Sequence, residues 1–341
     1  MSEREAITHW DVVPKAWNAL PQGNINRSFL VDSDQGQFVL QQVSAIFDPE
    51  VCTDIRDITE HLEQKSAVTP HLVPTRDGSS HAVVGGKTWR LLTYVEGRTF
   101  IRVEAPWQAR EAGRALARFH RALVDFDRPF RSARLGVHDT AVHLDALRRA
   151  LSRARPDQSD AAQIAREILS EADLLPSLPS SPEWVVHGDP KLANLIFHPS
   201  EPTALAWIDL DTVARMALPL ELGDALRSWC QPAGEDATGR FELGLYAAGV
   251  EGYAEEAPAD LTPTEWQAFV DATQIIALEL ASRFCRDAFE LKYFGWDSSR
   301  FPDAAAHHRA RAASQLALAR SIASQRAQAR EILQSAFGDR M

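Results

Sequence analysis

The amino-acid sequence predicts an α+β protein with two lobes, a small β-rich lobe over residues 1–97 and a larger, mainly helical lobe over residues 98–341. In the first lobe, apolar runs flank the turn residues Asp34-Gln35-Gly36 and, further on, Gly85-Gly86, and each arrangement is typical of a β-hairpin. In the second lobe, apolar residues recur at helical spacing over most of the length. A β-rich region followed by a helical region is the pattern of α+β folds.

Helical spacing predicts one helix between the two hairpins and several after them. The first of these has its apolar stripe within residues 51–62. Thr262 and Glu265 form a capping-box pattern at the head of a long later helix. The later helices are predicted over 105–126, 140–154, 158–174, 263–291 and 303–336.

Short strands interrupt the helical lobe between residues 183 and 210. The stretch EWVVHG (183–188) is predicted to pair with LIFH (195–198), and ALAWIDL (204–210) follows as a further strand. The loop DPKLAN (189–194) joins the first two strands, and it places a carboxylate, an ammonium and a carboxamide close together.

Composition narrows the classes of function. The net charge of −11 and a pI near 5.5 argue against binding to nucleic acid or to an anionic membrane. The three cysteines lie far apart in sequence, so neither a disulfide framework nor a zinc site is expected. The sequence contains no apolar run long enough for a membrane span and no signal-peptide pattern, which predicts a cytoplasmic protein.

The loop at 189–194 offers the side chains that phosphoryl transfer needs. That reaction needs a carboxylate to orient and deprotonate the attacking hydroxyl, and oxygen ligands to hold Mg²⁺ against the triphosphate. Asn194 follows Asp189 by five residues and Asp209 ends the next strand, which is the order found in protein kinases. The alternative is an Asx-type turn with Asn194 and Asp209 as solvated loop residues. The three residues and the β-rich lobe before them favour a kinase.

Short motifs in order along nearly the whole chain carry a family resemblance. They are GNINRSFLV (23–31), FVLQQV (38–43), ITEHL (58–62), HGDPKLANLIF (187–197), WIDLDTV (207–213), LGDALR (222–227) and RFCRDAFELKYF (283–294). With these motifs the chain resembles the aminoglycoside phosphotransferase/choline kinase superfamily, whose members have a protein-kinase-like fold. Within it, the chain is most similar to the N-acetylhexosamine 1-kinases.

The resemblance implies roles for the residues around the 189–194 loop. Asp189 would be the catalytic base, and Asn194 and Asp209 would bind Mg²⁺. Lys191 would lie near the transferring phosphate, and His187 would brace the loop through hydrogen bonds.

Three further carboxylate and arginine positions are less determined. Asp211 is either an additional metal or loop ligand or a solvated carboxylate. Asp224 and Arg227 are expected to be structural, tying the start of a helix to the catalytic loop.

The expected nucleotide site is less regular than in protein kinases. A protein kinase carries a strand lysine that pairs the phosphates with a helix glutamate, whereas this chain has Gln41 or Gln42 in that strand. Glu60 either bonds Gln41 or faces solvent. The residues expected at the phosphates or at the adenine edge of ATP are Gly23, Asn24, Asn26, Gln41, Glu60, Thr93, Tyr94 and Val95.

For the acceptor, the resemblance implies Arg283, Asp287 and Tyr293. The leading hypothesis is an ATP- and Mg²⁺-dependent kinase that phosphorylates the anomeric hydroxyl of an N-acetylhexosamine or a related sugar, acting as a monomer or homodimer. The alternatives are a kinase for an amino alcohol or aminoglycoside and, in another class, a nucleotide-binding pseudokinase.

Overall fold

The computed structural model of the chain describes residues 3–20, 25–132 and 137–338. Its strands are β1 (Pro14–Ala19), β2 (Arg27–Ser33), β3 (Gly36–Gln42), β4 (Leu72–Val73), β5 (Ala82–Val84), β6 (Lys87–Thr93), β7 (Glu183–Val186), β8 (Leu195–Phe197), β9 (Ala204–Trp207) and β10 (Ala214–Ala217). Its α-helices are α1 (Glu3–Ala6), α2 (Val51–Gln64), α3 (Pro106–Ala122), α4 (Thr140–Leu151), α5 (Ser159–Ala172), α6 (Leu218–Trp229), α7 (Leu243–Glu256), α8 (Pro263–Gln267), α9 (Phe269–Glu290), α10 (Ala304–Ser324) and α11 (Arg326–Phe337).

The first strands form one antiparallel sheet in the order β1-β2-β3-β6-β4, with β5 also paired to β6. Both predicted hairpins are confirmed, since Ser33 lies opposite Gly36 and Val84 lies opposite Lys87. Gly36 and Gly86 have φ angles of 119° and 74° at these turns. Glycine adopts such angles without a Cβ clash, which is why the turn positions carry it.

The core of this sheet follows from strand alternation. Val31, Leu40 and Leu91 come from three neighbouring strands and are fully buried. Trp10 packs in the same cluster and donates its indole N–H to the Val73 carbonyl at 2.8 Å. Alternate residues of a strand point to one face, so these strands place their apolar side chains in one layer.

The chain forms two compact units, and neither is one continuous segment. Unit 1 contains residues 1–98, 122–134 and 194–214, and unit 2 contains residues 99–121, 135–193 and 215–341. The first break between the units falls after residue 98. Within unit 1, Asp54 of α2 accepts the backbone N–H groups of Arg131 and Ser132, and Arg98 forms a β-bridge with Phe197. These contacts explain why two later segments join unit 1.

Unit 2 is built around α9, against which α4, α5, α6 and α10 pack. Most residues of α9 are buried, as expected for a helix surrounded by other helices. A Cβ at Gly113 of α3 would lie 2.1 Å from the Gly249 carbonyl of α7. Glycine therefore permits the close approach of these two helices.

Three sequence predictions differ from the structure. The 263–291 helix is divided into α8 and α9 at Ala268, although the Thr262–Glu265 capping box at its start is confirmed. The 303–336 helix is divided into α10 and α11 at Gln325. EWVVHG does not pair with LIFH, because β8 pairs with β9 and β7 pairs with β10.

The physical reason for the last difference is loop length. The segment between β8 and β9 is short enough for a hairpin, whereas the 187–194 segment is longer and contains a 3₁₀ turn. Within the described parts of the chain, no helix is both long and apolar enough to cross a membrane.

Candidate active site

The loop between β7 and β8 carries Asp189 and Lys191 side by side. Lys191 Nζ lies 2.5 Å from Asp189 Oδ2. The Lys191 side chain is 38% exposed and the Asp189 side chain is 29% exposed. Both groups are therefore in direct contact and partly open to solvent. The predicted place of Lys191 beside a transferring phosphate remains a prediction.

A buried glutamate holds the start of this loop. Glu221 lies on α6 and is fully buried. Its two carboxylate oxygens accept the backbone N–H groups of His187 at 2.9 Å and Gly188 at 3.1 Å. The N–H of Asp189 donates to Nδ1 of His187 at 3.3 Å. Hydrogen bonds to a charged acceptor are about twice as strong as neutral ones, so the backbone just before Asp189 is tied firmly to a helix.

The sequence analysis assigned this tie to Asp224 and Arg227, and that assignment is wrong. Arg227 donates to Asp224 Oδ1 from Nε at 3.2 Å and from Nη2 at 2.7 Å, and its Nη1 donates to Glu235 at 2.9 Å. Burial alone would raise the pKa of Asp224, but the charges of Arg227 and His138 outweigh burial and hold that pKa below its ordinary value. The Asp224 carboxylate is paired on its own helix, and Glu221 braces the loop instead.

Asn194 and Asp209 stand at the same end of the β8–β9 hairpin. Leu195 lies opposite Trp207 in this antiparallel pair, and the Ile208 N–H donates to the Asn194 carbonyl at 2.8 Å. Asn194, before β8, and Ile208, after β9, therefore lie side by side at the open end of the hairpin, and Asp209 follows directly. An amide oxygen and a carboxylate oxygen are the hard ligands that Mg²⁺ takes, so these two residues fit a magnesium site. Their role as ligands remains a prediction.

Asp211 lies two residues further on and is 6% exposed. Arg90 of β6 donates to both of its oxygens, Nη1 to Oδ1 at 2.5 Å and Nη2 to Oδ2 at 2.8 Å. Asn26 Nδ2 donates to Oδ2 at 2.6 Å. Because Asp211 is buried and both of its oxygens accept from protein donors, it is not a solvated carboxylate. Its role as a metal or loop ligand remains a prediction.

Sequence reasoning missed Arg90. The residue lies between Trp89 and Leu91 in β6, and its partner is 121 residues away. The available signal was the charge itself, since arginine is rarely buried unless it is paired.

Gln41 and Glu60 do not contact each other. Gln41 Oε1 accepts from Arg90 Nε at 2.9 Å, and its Nε2 donates to Ser28 Oγ at 2.9 Å. Glu60 is 48% exposed and lies 3.3 Å from Arg128. Of the two alternatives for Glu60, the solvent-facing one is correct, and the polar atoms of Gln41 are engaged within the sheet.

The other predicted nucleotide residues fall into two groups. Gly23 and Asn24 lie outside the described residues. The backbone N–H groups of Thr93 and Tyr94 donate to carbonyls of neighbouring segments at 2.9 and 3.1 Å. Val95 follows directly and is half-buried. The N–H groups of the first two residues therefore belong to the sheet.

The predicted acceptor residues all lie at the C-terminal end of α9. The Arg283 guanidinium lies over the rings of Tyr293 and Phe294, at 5.9 and 5.8 Å from their centroids. Asp287 is buried, and its oxygens accept the backbone N–H groups of Lys292, Tyr293 and Phe294 at 2.7 to 3.2 Å. This geometry disagrees with a direct substrate contact for Asp287. The carboxylate instead holds the turn that carries Tyr293.

A carboxylate that sequence reasoning missed lies one turn before Arg283. Glu279 is 1% exposed and accepts from His138 Nδ1 at 3.0 Å and Thr140 Oγ1 at 2.7 Å. Burial alone would lower the pKa of His138, but the hydrogen bond to Glu279 and the charge of Asp224 outweigh burial and raise it. A glutamate among the apolar residues of a long helix was the available signal.

Comparisons with solved structures identify the fold. The microcompartment-associated aminopropanol kinase has a TM-score of 0.66 at 19% identity, covering 94% of this chain and 97% of its own. An amicoumacin kinase solved in complex with AMP-PNP and Ca²⁺ has a TM-score of 0.62 at 14% identity, covering 90% of this chain and 91% of its own. The fold is therefore the α+β, protein-kinase-like fold of small-molecule phosphotransferases.

A family model described as the phosphotransferase enzyme family, APH, matches residues 16–259. The chain therefore belongs to this family of small-molecule phosphotransferases. The homoserine kinase of Rhizobium etli is 26% identical over 259 residues, which cover 74% of this chain and 75% of that protein.

Proposed function

We propose that this phosphotransferase uses ATP and Mg²⁺ to phosphorylate a hydroxyl of a small molecule. The observation that carries the proposal is the order Asp189, Asn194, Asp209, with the amide and the second carboxylate at one end of the β8–β9 hairpin. The complex of the amicoumacin kinase with AMP-PNP and Ca²⁺ supports ATP and a divalent cation as the partners of this site.

In the proposed reaction, Asp189 accepts the proton of the acceptor hydroxyl while the hydroxyl oxygen bonds to the γ-phosphorus. The bond between that phosphorus and the β–γ bridging oxygen breaks, and ADP leaves with the bonding electrons. Mg²⁺ held by Asn194 and Asp209 would neutralise charge on the phosphates. Lys191 exchanges its contact with Asp189 for one with the transferring phosphate, and Glu221 keeps the loop in place during this exchange.

For the nucleotide, we propose that Gly23 and Asn24 lie at the phosphates and Val95 at the adenine edge. Asn26 and Gln41 then support the site from within the sheet, since each already bonds a residue of unit 1. An exposed Glu60 paired with arginine does not favour a nucleotide contact.

We propose that the acceptor is an N-acetylhexosamine or a related amino sugar, phosphorylated at its anomeric hydroxyl. Tyr293 is 56% exposed and is backed by Arg283. An open aromatic face suits the flat side of a sugar ring, and the guanidinium offers several donors to ring hydroxyls. The positive charge of Arg283 also disfavours an acceptor that carries positive charge and no negative charge.

The second candidate is a kinase for an amino alcohol such as homoserine. The homoserine kinase of Rhizobium etli and the aminopropanol kinase favour it.

The test is ATP consumption over a panel of free hexoses, N-acetylhexosamines, homoserine, aminopropanol, choline and aminoglycosides. An anomeric phosphate is lost in mild acid and the product is no longer a reducing sugar, whereas a 6-phosphate is acid-stable and still reducing. Turnover with homoserine or aminopropanol and with no sugar would replace the first candidate by the second. No turnover with any acceptor would contradict both.

Arg283→Ala locates the acceptor. The variant should raise the acceptor KM about tenfold or more and leave the ATP KM unchanged, because one charge-assisted contact contributes about 1.5–3 kcal/mol. Arg286→Ala is the matched control, since Arg286 lies on the same helix and pairs with a glutamate four residues away. Equal effects of the two substitutions would remove Arg283 from the acceptor site.

A further inference from the structure

Arg90 and Asp211 form a buried ion pair inside unit 1. Their side chains are 1% and 2% exposed, and the guanidinium meets the carboxylate through two hydrogen bonds. Moving both charges out of water has a large unfavourable free energy, and apolar residues of similar volume often serve stability equally well. Stability alone therefore does not explain the pair.

The pair joins a rigid platform to a short turn. On the platform side, Arg90 lies opposite Gln41 in the sheet and Gln41 lies opposite Ser28. Hydrogen bonds of 2.9 Å link the Arg90 Nε to Gln41 and Gln41 to the Ser28 hydroxyl. The guanidinium is thus fixed by three adjacent strands, β2, β3 and β6. A group held in this way has one orientation.

On the other side, the pair holds the 3₁₀ turn Leu210–Thr212. Asn26 adds a hydrogen bond of 2.6 Å to Asp211, and its own side-chain oxygen accepts the Ser44 N–H at 2.9 Å. The turn that contains Asp211 therefore cannot rotate without breaking three hydrogen bonds to its carboxylate.

Asp209 immediately precedes this turn and has a left-handed backbone, with φ 62° and ψ 53°. Aspartate reaches this region more easily than most residues, but the conformation is still strained. Such strain persists only where the surroundings hold it in place, and it concentrates at functional sites. The buried contacts of Asp211, two residues away, supply that constraint.

We propose that the Arg90–Asp211–Asn26 network is the positioning device for Asp209, and that Arg90 acts through Asp211 and not on the phosphates of the nucleotide. This proposal rests on the proposed function, in which Asp209 binds Mg²⁺. It also explains why the strand position expected to hold a lysine holds Gln41. The buried cation is instead Arg90 on the neighbouring strand, where it orients the metal ligand and is too buried to reach ATP.

The test separates positioning from stability with three variants: Arg90→Met, Asp211→Leu and the double substitution. Each single variant leaves a buried charge without its partner and should lower Tm, whereas the double variant removes both charges and should regain most of the Tm. Mn²⁺ binding in the presence of ADP, followed by electron paramagnetic resonance, should nevertheless be about 10- to 100-fold weaker in the double variant, the usual effect of losing a group that orients a metal ligand.

Arg90→Lys keeps the sheet charge and the fold while losing the two-pronged contact, so it covers the case in which the apolar variants do not fold. Its Mn²⁺ affinity should fall about tenfold. Arg131→Met is the matched control, because it removes an arginine that pairs with Asp57 at 2.8 Å in the same unit. Its Mn²⁺ affinity should equal that of the wild type.

Wild-type Mn²⁺ affinity in the double variant and in Arg90→Lys would overturn the positioning role and leave the kinase proposal intact. A wild-type protein that binds no Mn²⁺ with ADP and consumes no ATP would overturn both. A rise in the KM for ATP at saturating Mg²⁺, with Mn²⁺ affinity unchanged, would show that Arg90 acts on the nucleotide directly.

Discussion

Two buried carboxylates, Glu221 in unit 2 and Asp211 in unit 1, each hold a loop that carries a predicted functional aspartate. Glu221 accepts backbone N–H groups of the loop before Asp189. Asp211 accepts side-chain donors, from Arg90 and Asn26, next to Asp209. Each set of contacts is a brace for its loop. The Glu221 brace bonds backbone groups, whereas the Asp211 brace bonds side chains.

The difference has a consequence for each loop. Every residue except proline has a backbone N–H, so the Glu221 brace depends on the path of the chain and tolerates changes of side chain in the loop. The Asp211 brace needs one particular cation at one position in β6. We therefore expect the two braces to respond differently to substitution.

The largest effect on kcat should come from substitution of Asp189, whose loop is held by Glu221. Asp189→Asn keeps the shape of the side chain but loses the proton acceptor, so kcat should fall about 10²- to 10⁴-fold. ATP binding should change little. Asp160→Asn, an exposed carboxylate in the first turn of α5, is the control in steady-state assays. A variant at position 189 with more than about a tenth of wild-type kcat would remove Asp189 from the role of base.

The next effect should come from the backbone brace itself. Glu221→Gln turns an amide N–H toward a buried backbone donor, which should lower the free energy of unfolding by about 1–3 kcal/mol. Displacement of Asp189 should also lower kcat about 10- to 100-fold at constant KM. Glu265→Gln changes an equally buried carboxylate that caps α8, and it should lower Tm with kcat intact. If both variants lose only stability, Glu221 does not position the loop.

A smaller effect should follow from weakening the side-chain brace at its edge. Gln41→Ala removes one hydrogen bond to Arg90, worth about 1 kcal/mol, so the Mg²⁺ requirement should rise by up to about fivefold. The KM for ATP at saturating Mg²⁺ should stay constant. Gln37→Ala removes a glutamine of the same strand that bonds Asp32 and should change neither value. A 10- to 100-fold rise in the ATP KM would instead restore Gln41 to direct nucleotide contact.

The smallest effect should be a pH dependence of stability at His138, a third buried contact. Its pKa is raised in the folded protein, so its contribution is fully present below the unfolded value of about 6.5 and is lost as the pH rises through the folded value. The Tm difference between wild type and His138→Gln should therefore be larger at about pH 5.5 than at about pH 8.5. A larger difference at high pH would contradict the assigned direction.

Much of the architecture could be predicted from neighbouring residues. Both sheet hairpins follow from turn residues between apolar runs, and the Thr262–Glu265 cap was identified from a spacing of three. The strand partners of EWVVHG and LIFH could not be predicted correctly, because each short apolar strand has more than one possible partner.

The residues of the candidate site also fall into those that the local sequence predicted and those that only the structure revealed. Asp189, Asn194 and Asp209 stand out in the sequence because their order and their strand context are local. The sequence alone predicted these three residues as a kinase site and, through the family resemblance, a protein-kinase-like fold. Only the tertiary structure showed that Glu221, 34 residues from His187, and Arg90, 121 residues from Asp211, hold the loops in place. The physical reason is that the partner of a buried charge is chosen by packing between distant segments, and spacing along the chain carries no record of that choice.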